Sequence, residues 1–395
     1  MATVVCVWEL GANLGHLGNL KQIATRALRD GHCVWIIAKD LANVHTVFGD
    51  IPVRVLQAPA QRLSPSAKVE DIQSFPQLIA NSCYRNIRDL LTYLSAWKSN
   101  FDLTKPDLVF YDHSPLALAA SWGFNFKKVL VGNGFTLPPV QTPLLGVFPD
   151  LNRMQIESKL EASEANLLAD ISECFKGLNY PAIRQLADIY RQAHHVVRFT
   201  IPELDHFFER PIGPYVGVWP SFGCAKPMWK NTKTYKVFAY LQSFKGLSRL
   251  LEQLASSDVE VLVYCPTLSS AEKSRLSSLC VTFITDPVDL FQVAESADFG
   301  ITHGNHDTTV QLSLLGLPLM TIPRHQEQFF LAVKHRELGL GEIALQDQSS
   351  FSAEITKMIN NAAYRKRALA LRDKYSASST LTPGSAIDNI LIELQ

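Results

Sequence analysis

The sequence predicts an α/β protein of two doubly wound domains, each a parallel sheet flanked by helices. Three observations carry that prediction. The chain opens with a short apolar strand, Thr3 to Trp8, that runs through a glycine-bearing loop into a helix and then a second apolar strand, Cys33 to Ala38. A second strand–loop–helix–strand unit recurs far along the chain, from Phe299 to Ile322. Between them, Pro211 to Asn231 is rich in proline and glycine and has little period, as expected of a linker.

Length and composition agree with this layout. At 395 residues the chain can hold two domains of ordinary size, each with its own core. Hydrophobic residues make up 47% and charged residues 19%, a globular balance. The 37 basic and 37 acidic residues cancel, which argues against nucleic acid as the main partner. Seven scattered cysteines without a CxxC pair read as reduced core thiols, and hence as a cytoplasmic protein. The first apolar run breaks at Glu9 with no basic start, so no signal peptide is expected. No apolar run reaches membrane-spanning length, so membrane contact is expected to be peripheral at most.

In order, the first strand leads into the loop Glu9 to Gly18, and Gly31-His32 ends the helix that follows. Asp40 closes the second strand where a ribose-binding acid of a dinucleotide site would sit. The spacing of Gly11, Gly15 and Gly18 is nevertheless not G-x-G-x-x-G. Ile51 to Leu56 is the third expected strand, and Gln57 to Phe75 a long, functional or mobile loop. Gln77 to Asn100 has helical period, with Ile79, Ile87, Leu90 and Leu94 on one side. Leu108 to Tyr111 is a strand ending in Asp112-His113-Ser114-Pro115. Asp112 has two readings there: a partner for His16 at the neighbouring strand mouth, or a cap for the helix Leu116 to Ser121. Val129 to Gly132 is a further strand, opening a proline-rich loop through Pro149. Met154 to Arg191 reads as two helices that could roof a pocket, and Val196 to Thr200 as the last strand of the first domain. The second domain alternates strands at Tyr235 to Leu241, Val259 to Tyr264 and Val281 to Ile284 with helices at Leu247 to Ala255 and near Ala271. The expected boundaries are 1–215, a linker at 216–234, 235–380, and a C-terminal helix at 381–395 returning to the first domain.

The organising stretch runs from Ala297 to Gly341. His303 to Thr309 is a tight polar turn between a buried strand and a helix that ends at Gly316. Unsatisfied backbone N–H groups and the positive end of the helix dipole face such a turn, which suits a phosphate. A second polar loop, Pro323 to Gln328, follows the next strand. Side by side, the two loops make a pocket for a phosphorylated, hydroxyl-rich ligand.

These residues also resemble a family. His303-Gly304, Thr308, Gly316-x-Pro318, Pro323-x-x-x-Glu327-Gln328 and Glu337-Leu-Gly-Leu-Gly341 look like the nucleotide-sugar signature of family-1-type glycosyltransferases, which include macrolide glycosyltransferases. The resemblance is specific from Asp286 to Gly341 and looser but collinear elsewhere. It implies the GT-B fold, two Rossmann-like domains facing across a cleft. It also implies inverting, metal-independent transfer of a sugar from a UDP- or dTDP-sugar to a hydroxyl of a small-molecule or lipid acceptor. The nucleotide sugar is then a co-substrate, and no further cofactor is implied. On the family's pattern His16 is the catalytic base and Asp112 orients it. The donor side takes in His303, Gly304, Asn305, Asp307, Thr308, Thr309, Gln311, Glu327 and Gln328, with Gln242 and Ser243 from the loop after the second domain's first strand. Asn13, Phe75, Asn133 and Phe135 are placed on the acceptor side.

The residue types suit that chemistry. An imidazole can accept an acceptor-hydroxyl proton if a carboxylate fixes its tautomer. The departing diphosphate carries the developing charge, so donors aimed at it matter most. Asn305 and Asp307 stand where the pattern has glycines, and Gln311 where it has a ribose-binding glutamate. Asp307 would repel a diphosphate unless it turns away or pairs with His306. Two alternatives therefore stay beside the enzyme: a catalytically silent nucleotide-sugar-binding protein, and a nucleotide-sugar epimerase. Gly304-Asn305-His306-Asp307 also spells a binuclear metallophosphoesterase string. Its partner motifs are missing, and no metal site is expected.

Overall fold

Runs such as Val4-Val5-Cys6-Val7 and Val261-Leu262-Val263 are apolar on both faces, which suits strands covered by helices on both sides. In the computed structural model they are essentially inaccessible to solvent. Burying a side chain of this size stabilises by about 1.5–3 kcal/mol. The structure describes residues 1–11, 14–59, 69, 72–140, 144, 153–207, 213–220, 225–231, 233–377 and 381–394. Asn13, most of the 57–75 loop, part of the proline-rich loop and parts of the 211–231 stretch lie outside the described residues.

The chain divides into two units. Unit 1 comprises Met1–Phe199, Phe207–Val216 and Leu381–Gln395, and unit 2 comprises Thr200–His206 and Gly217–Thr380. Unit 1 runs β1 (Thr3–Trp8), α1 (Leu14–Arg29), β2 (Cys33–Ala38), α2 (Val44–Phe48), β3 (Arg54–Gln57), α3 (Phe75–Ser82), α4 (Ile87–Thr104), β4 (Leu108–Asp112), α5 (Pro115–Ala120), β5 (Lys127–Gly132), α6 (Arg153–Gly177), α7 (Ala187–Arg191) and β6 (His195–Arg198). Its sheet is all parallel, in the order β3-β2-β1-β4-β5-β6.

Unit 2 runs β7 (Tyr235–Tyr240), α8 (Leu247–Ser256), β8 (Val259–Tyr264), α9 (Ser270–Leu276), β9 (Val281–Ile284), α10 (Leu290–Ser296), β10 (Phe299–Thr302), α11 (His306–Leu314), β11 (Leu319–Thr321), α12 (Gln326–Glu337), β12 (Gly341–Ile343), α13 (Ser352–Asn360) and α14 (Ala362–Ser376). Its parallel sheet has the order β12-β11-β10-β7-β8-β9, the same winding as unit 1. The last helix, α15 (Pro383–Ile392), packs on α1 in unit 1, where Asp388 pairs with Arg26 and Arg29.

Both sheets are doubly wound, with the winding reversing at β1/β4 and at β7/β10. Ligands of such sheets sit outside the carboxyl ends of the strands at that reversal.

Two elements depart from the sequence expectation. The expected helix Gln77 to Asn100 is two helices, because the Asn86 side chain accepts the backbone N–H groups of Arg88 (3.0 Å) and Asp89 (3.1 Å) and starts α4 afresh. The third strand begins at Arg54 rather than Ile51, since Pro52 has no N–H for the ladder.

Candidate active site

In unit 1 the candidate residues meet at the sheet reversal. Trp8 and Asp112 are register partners at the ends of β1 and β4. His16, in the first turns of α1, places Nδ1 2.9 Å from Asp112 Oδ1. The His16 side chain is 18% exposed and Asp112 1%. A carboxylate accepts from Nδ1–H, which puts the imidazole lone pair on Nε2. The Trp8 ring stacks on His16 at 5.6 Å between centroids. Gly11, with φ +90°, lies against the other face of the site: a Cβ there would stand 2.3 Å from His16 Nε2. Only glycine leaves room for this ring and takes this backbone without strain.

The two readings of Asp112 separate here. The amino end of α5 is capped by Glu9, whose carboxyl Oε2 accepts from Leu116 N (2.9 Å) and Ala117 N (3.3 Å). Asp112 is thereby left to His16. Burial pushes the Glu9 carboxyl up to about 8, against the lowering effect of those two bonds. His113, at φ +45°, holds its ring 6.1 Å from that of His16, and burial pushes it down to about 3, so it is neutral. Of the residues expected on the acceptor side, Phe75 and Phe135 are buried and bring their rings to 6.1 Å. Asn133 spends its Oδ1 on Thr136 N (3.0 Å), closing the turn after β5.

In unit 2 the loops after β7, β10 and β11 are joined by one hydrogen-bonded chain. His303 is buried, and its ring spans the reversal: Nδ1 lies 2.7 Å from Ile322 O, and Nε2 accepts from Gln242 N at 2.8 Å. Burial lowers its basicity. The sequence reading put this imidazole on the diphosphate; in the structure both nitrogens have backbone partners, and the ring ties the loops after β7, β10 and β11. Gly304 has φ +82°, and a Cβ there would lie 2.9 Å from Gln328 O. Asn305 is the N-cap of α11, yet its side chain does not cap; Oδ1 accepts from Gln328 Nε2 at 2.6 Å. The first-turn N–H groups of α11 are therefore not capped by Asn305. Asp307 pairs with His306 (Nδ1 to Oδ1, 3.1 Å), whose Nε2 lies 3.0 Å from Thr200 Oγ1.

Other expected donor residues are drawn inward or outward. Thr309 is fully buried and bonds Thr302 (3.2 Å), a core contact rather than a ligand one. Gln311 is buried at 7% exposure. Ser243 is exposed, with its N–H on Thr267 Oγ1 at 2.7 Å. Thr308 and Glu327 are half-buried in the first turns of α11 and α12. Sequence reasoning missed the contacts of Glu9 and Thr200; only Glu9, a carboxyl at the end of an apolar run, left a readable signal. Among the described residues no three His, Cys, Asp or Glu converge as a metal site. No helix among them is long and apolar enough to cross a membrane.

No protein-family model matches the chain, and no curated protein does. Solved structures match it along its whole length. CalG4, the calicheamicin glycosyltransferase, aligns with a TM-score of 0.72 at 18% identity, over 100% of this chain and 98% of that one. The glycosyltransferase of kitacinnamycin aligns at 0.71 and 15%, over 100% and 99%. The glycosyltransferase VinC, solved in complex with dTDP, aligns at 0.64 and 13%, over 99% of each. The chain has the α/β GT-B architecture of these proteins.

Proposed function

We propose that the protein is a glycosyltransferase that moves a sugar from a UDP- or dTDP-sugar to a hydroxyl of a small-molecule or lipid acceptor, with inversion and without a metal. The observation that carries this reading is the His16–Asp112 pair at the reversal of the unit 1 sheet. His16 Nε2 takes the acceptor proton as the acceptor oxygen attacks the anomeric carbon. The bond from that carbon to the diphosphate breaks, and its electron pair leaves on the nucleoside diphosphate. Asp112 stabilises the imidazolium so formed. The amino end of α11 and the Pro323–Gln328 loop receive the diphosphate and the sugar.

The test is turnover and donor affinity measured on one His16→Ala sample. Loss of the base is expected to cost about 100- to 10,000-fold in rate, with UDP-sugar or dTDP-sugar affinity nearly unchanged. Full activity would remove His16 as the base, and loss of both properties would make it structural.

A second reading, a silent nucleotide-sugar binder, is favoured by Gln328, whose amide is already committed to Asn305 and to Arg324 N (2.9 Å) rather than open to sugar hydroxyls. Donor binding by the wild type with no turnover on any acceptor, and no donor hydrolysis, would establish it.

A further inference from the structure

We propose that Arg324 is the cation that receives the donor's diphosphate, held ready across the β10–α11 loop by Gln242. The inference rests on the donor-site reading above and adds to it a residue outside the family's pattern.

The argument is topological first. In the unit 2 sheet β10 lies between β11 and β7. Arg324 belongs to the loop after β11 and Gln242 to the loop after β7, yet Arg324 Nη1 donates to Gln242 Oε1. A side chain joining those two loops crosses the mouth of the one between them, which is His303-Gly304-Asn305. The guanidinium therefore lies over the strand end that feeds α11. Its own backbone is fixed too, since Arg324 N donates to Gln328 Oε1 (2.9 Å), and Gln328 Nε2 reaches Asn305 Oδ1 (2.6 Å).

Charge points the same way. Glu327, in the first turn of α12, opposes a diphosphate, whereas Asp307 in the first turn of α11 is paired with His306. The imidazoles are not placed to receive the phosphates: both nitrogens of His303 have backbone partners and burial lowers its basicity, and His306 is directed to Asp307 and Thr200. The nearby charge of Arg324 itself disfavours a proton on His303. Arg324 is exposed and its partner Gln242 is a neutral amide, which phosphate oxygens can replace. Its planar fork matches two phosphate oxygens at once, which a point charge such as the exposed Lys245 in the β7–α8 loop does not.

The test is calorimetric titration of the full chain with UDP and dTDP, and with uridine and thymidine, at low and high salt. The variants are Arg324→Gln, Arg324→Lys and, as a control, Lys245→Gln. Arg324→Gln is expected to weaken diphosphate binding about 10- to 100-fold, to flatten its salt dependence, and to leave nucleoside binding unchanged. Arg324→Lys should recover the salt dependence but only part of the affinity, and Lys245→Gln should bind like the wild type. If Arg324→Gln binds diphosphates as tightly as the wild type, or loses nucleosides equally, Arg324 is not the receiving cation and the donor site stands without it. If the wild type binds neither diphosphate, the donor reading itself fails and this inference with it.

Discussion

His16 Nδ1 and Asp112 Oδ1 are 2.9 Å apart although 96 residues separate them in sequence. The contact exists because β1 and β4 are sheet neighbours and each delivers its residue at the same edge. Asp112→Asn keeps the shape and removes the charge that stabilises an imidazolium. It is expected to lower turnover on the order of 10- to 1,000-fold, less than His16→Ala. Donor affinity by calorimetry should not move; a parallel loss there would mean the change disturbs the fold rather than the base.

Glu9 makes a pH prediction. Its carboxyl is raised from the ordinary 4.5 to about 8 by burial. Between those values the unfolded chain has released the proton and the folded one retains it, so stability falls as pH rises through that window. Glu9→Gln should lack this loss. Its stability relative to wild type is expected to improve on the order of 1–4 kcal/mol from pH 5 to pH 8. Urea unfolding at the two pH values reads the difference, and a constant gap would show that Glu9 is ionised in the fold.

His335 on α12 shifts the other way. It is buried, its Nε2 has no hydrogen-bond partner, and burial lowers it to about 3 from 6.5. Below pH 6.5 the unfolded chain binds a proton that the folded chain refuses, so stability falls on acidification. His335→Leu should be at least as stable at pH 7, and its advantage should grow by about 2 kcal/mol by pH 5. Thermal unfolding across this range checks it.

His303→Ala leaves Ile322 O and Gln242 N without their imidazole partner. A loss of about 1–3 kcal/mol for each buried group left unpaired is expected. UDP or dTDP binding should weaken as well, because the loops after β7 and β10 are no longer tied. Unchanged affinity in a destabilised variant would separate the clamp from the donor site.

Much of this arrangement was legible in the sequence. The strand–loop–helix units and their apolar runs fixed a doubly wound reading. In that winding the residues after the first and fourth strands share an edge, which allows His16 to meet Asp112; the resemblance to the glycosyltransferase pattern, rather than the winding, favoured that pairing over a helix cap. Asp307 could be matched to His306 because the two are adjacent in the chain. The Arg324–Gln242 and Gln328–Asn305 bonds were not legible, since each depends on sheet order and side-chain rotamers together. Asn86 was hidden for another reason: the leucine period continues across it and masks the cap. Glu9 took the capping role offered to Asp112 because β1 ends beside the amino end of α5, a proximity no local pattern encodes.

The docking of α15 on α1 has a consequence for the order of folding. Asp388 meets Arg26 across a sequence separation of 362 residues. Unit 1 is therefore interrupted by nearly all of unit 2 and cannot close while the chain is still being made. During synthesis the surface of α1 that receives α15 stays uncovered until unit 2 has emerged. Unit 2, apart from the short Thr200–His206 segment, is contiguous and can assemble first. A nascent chain halted before Pro383 would thus carry a complete unit 2 and an incomplete unit 1, with the helix that holds His16 still lacking its outer cover.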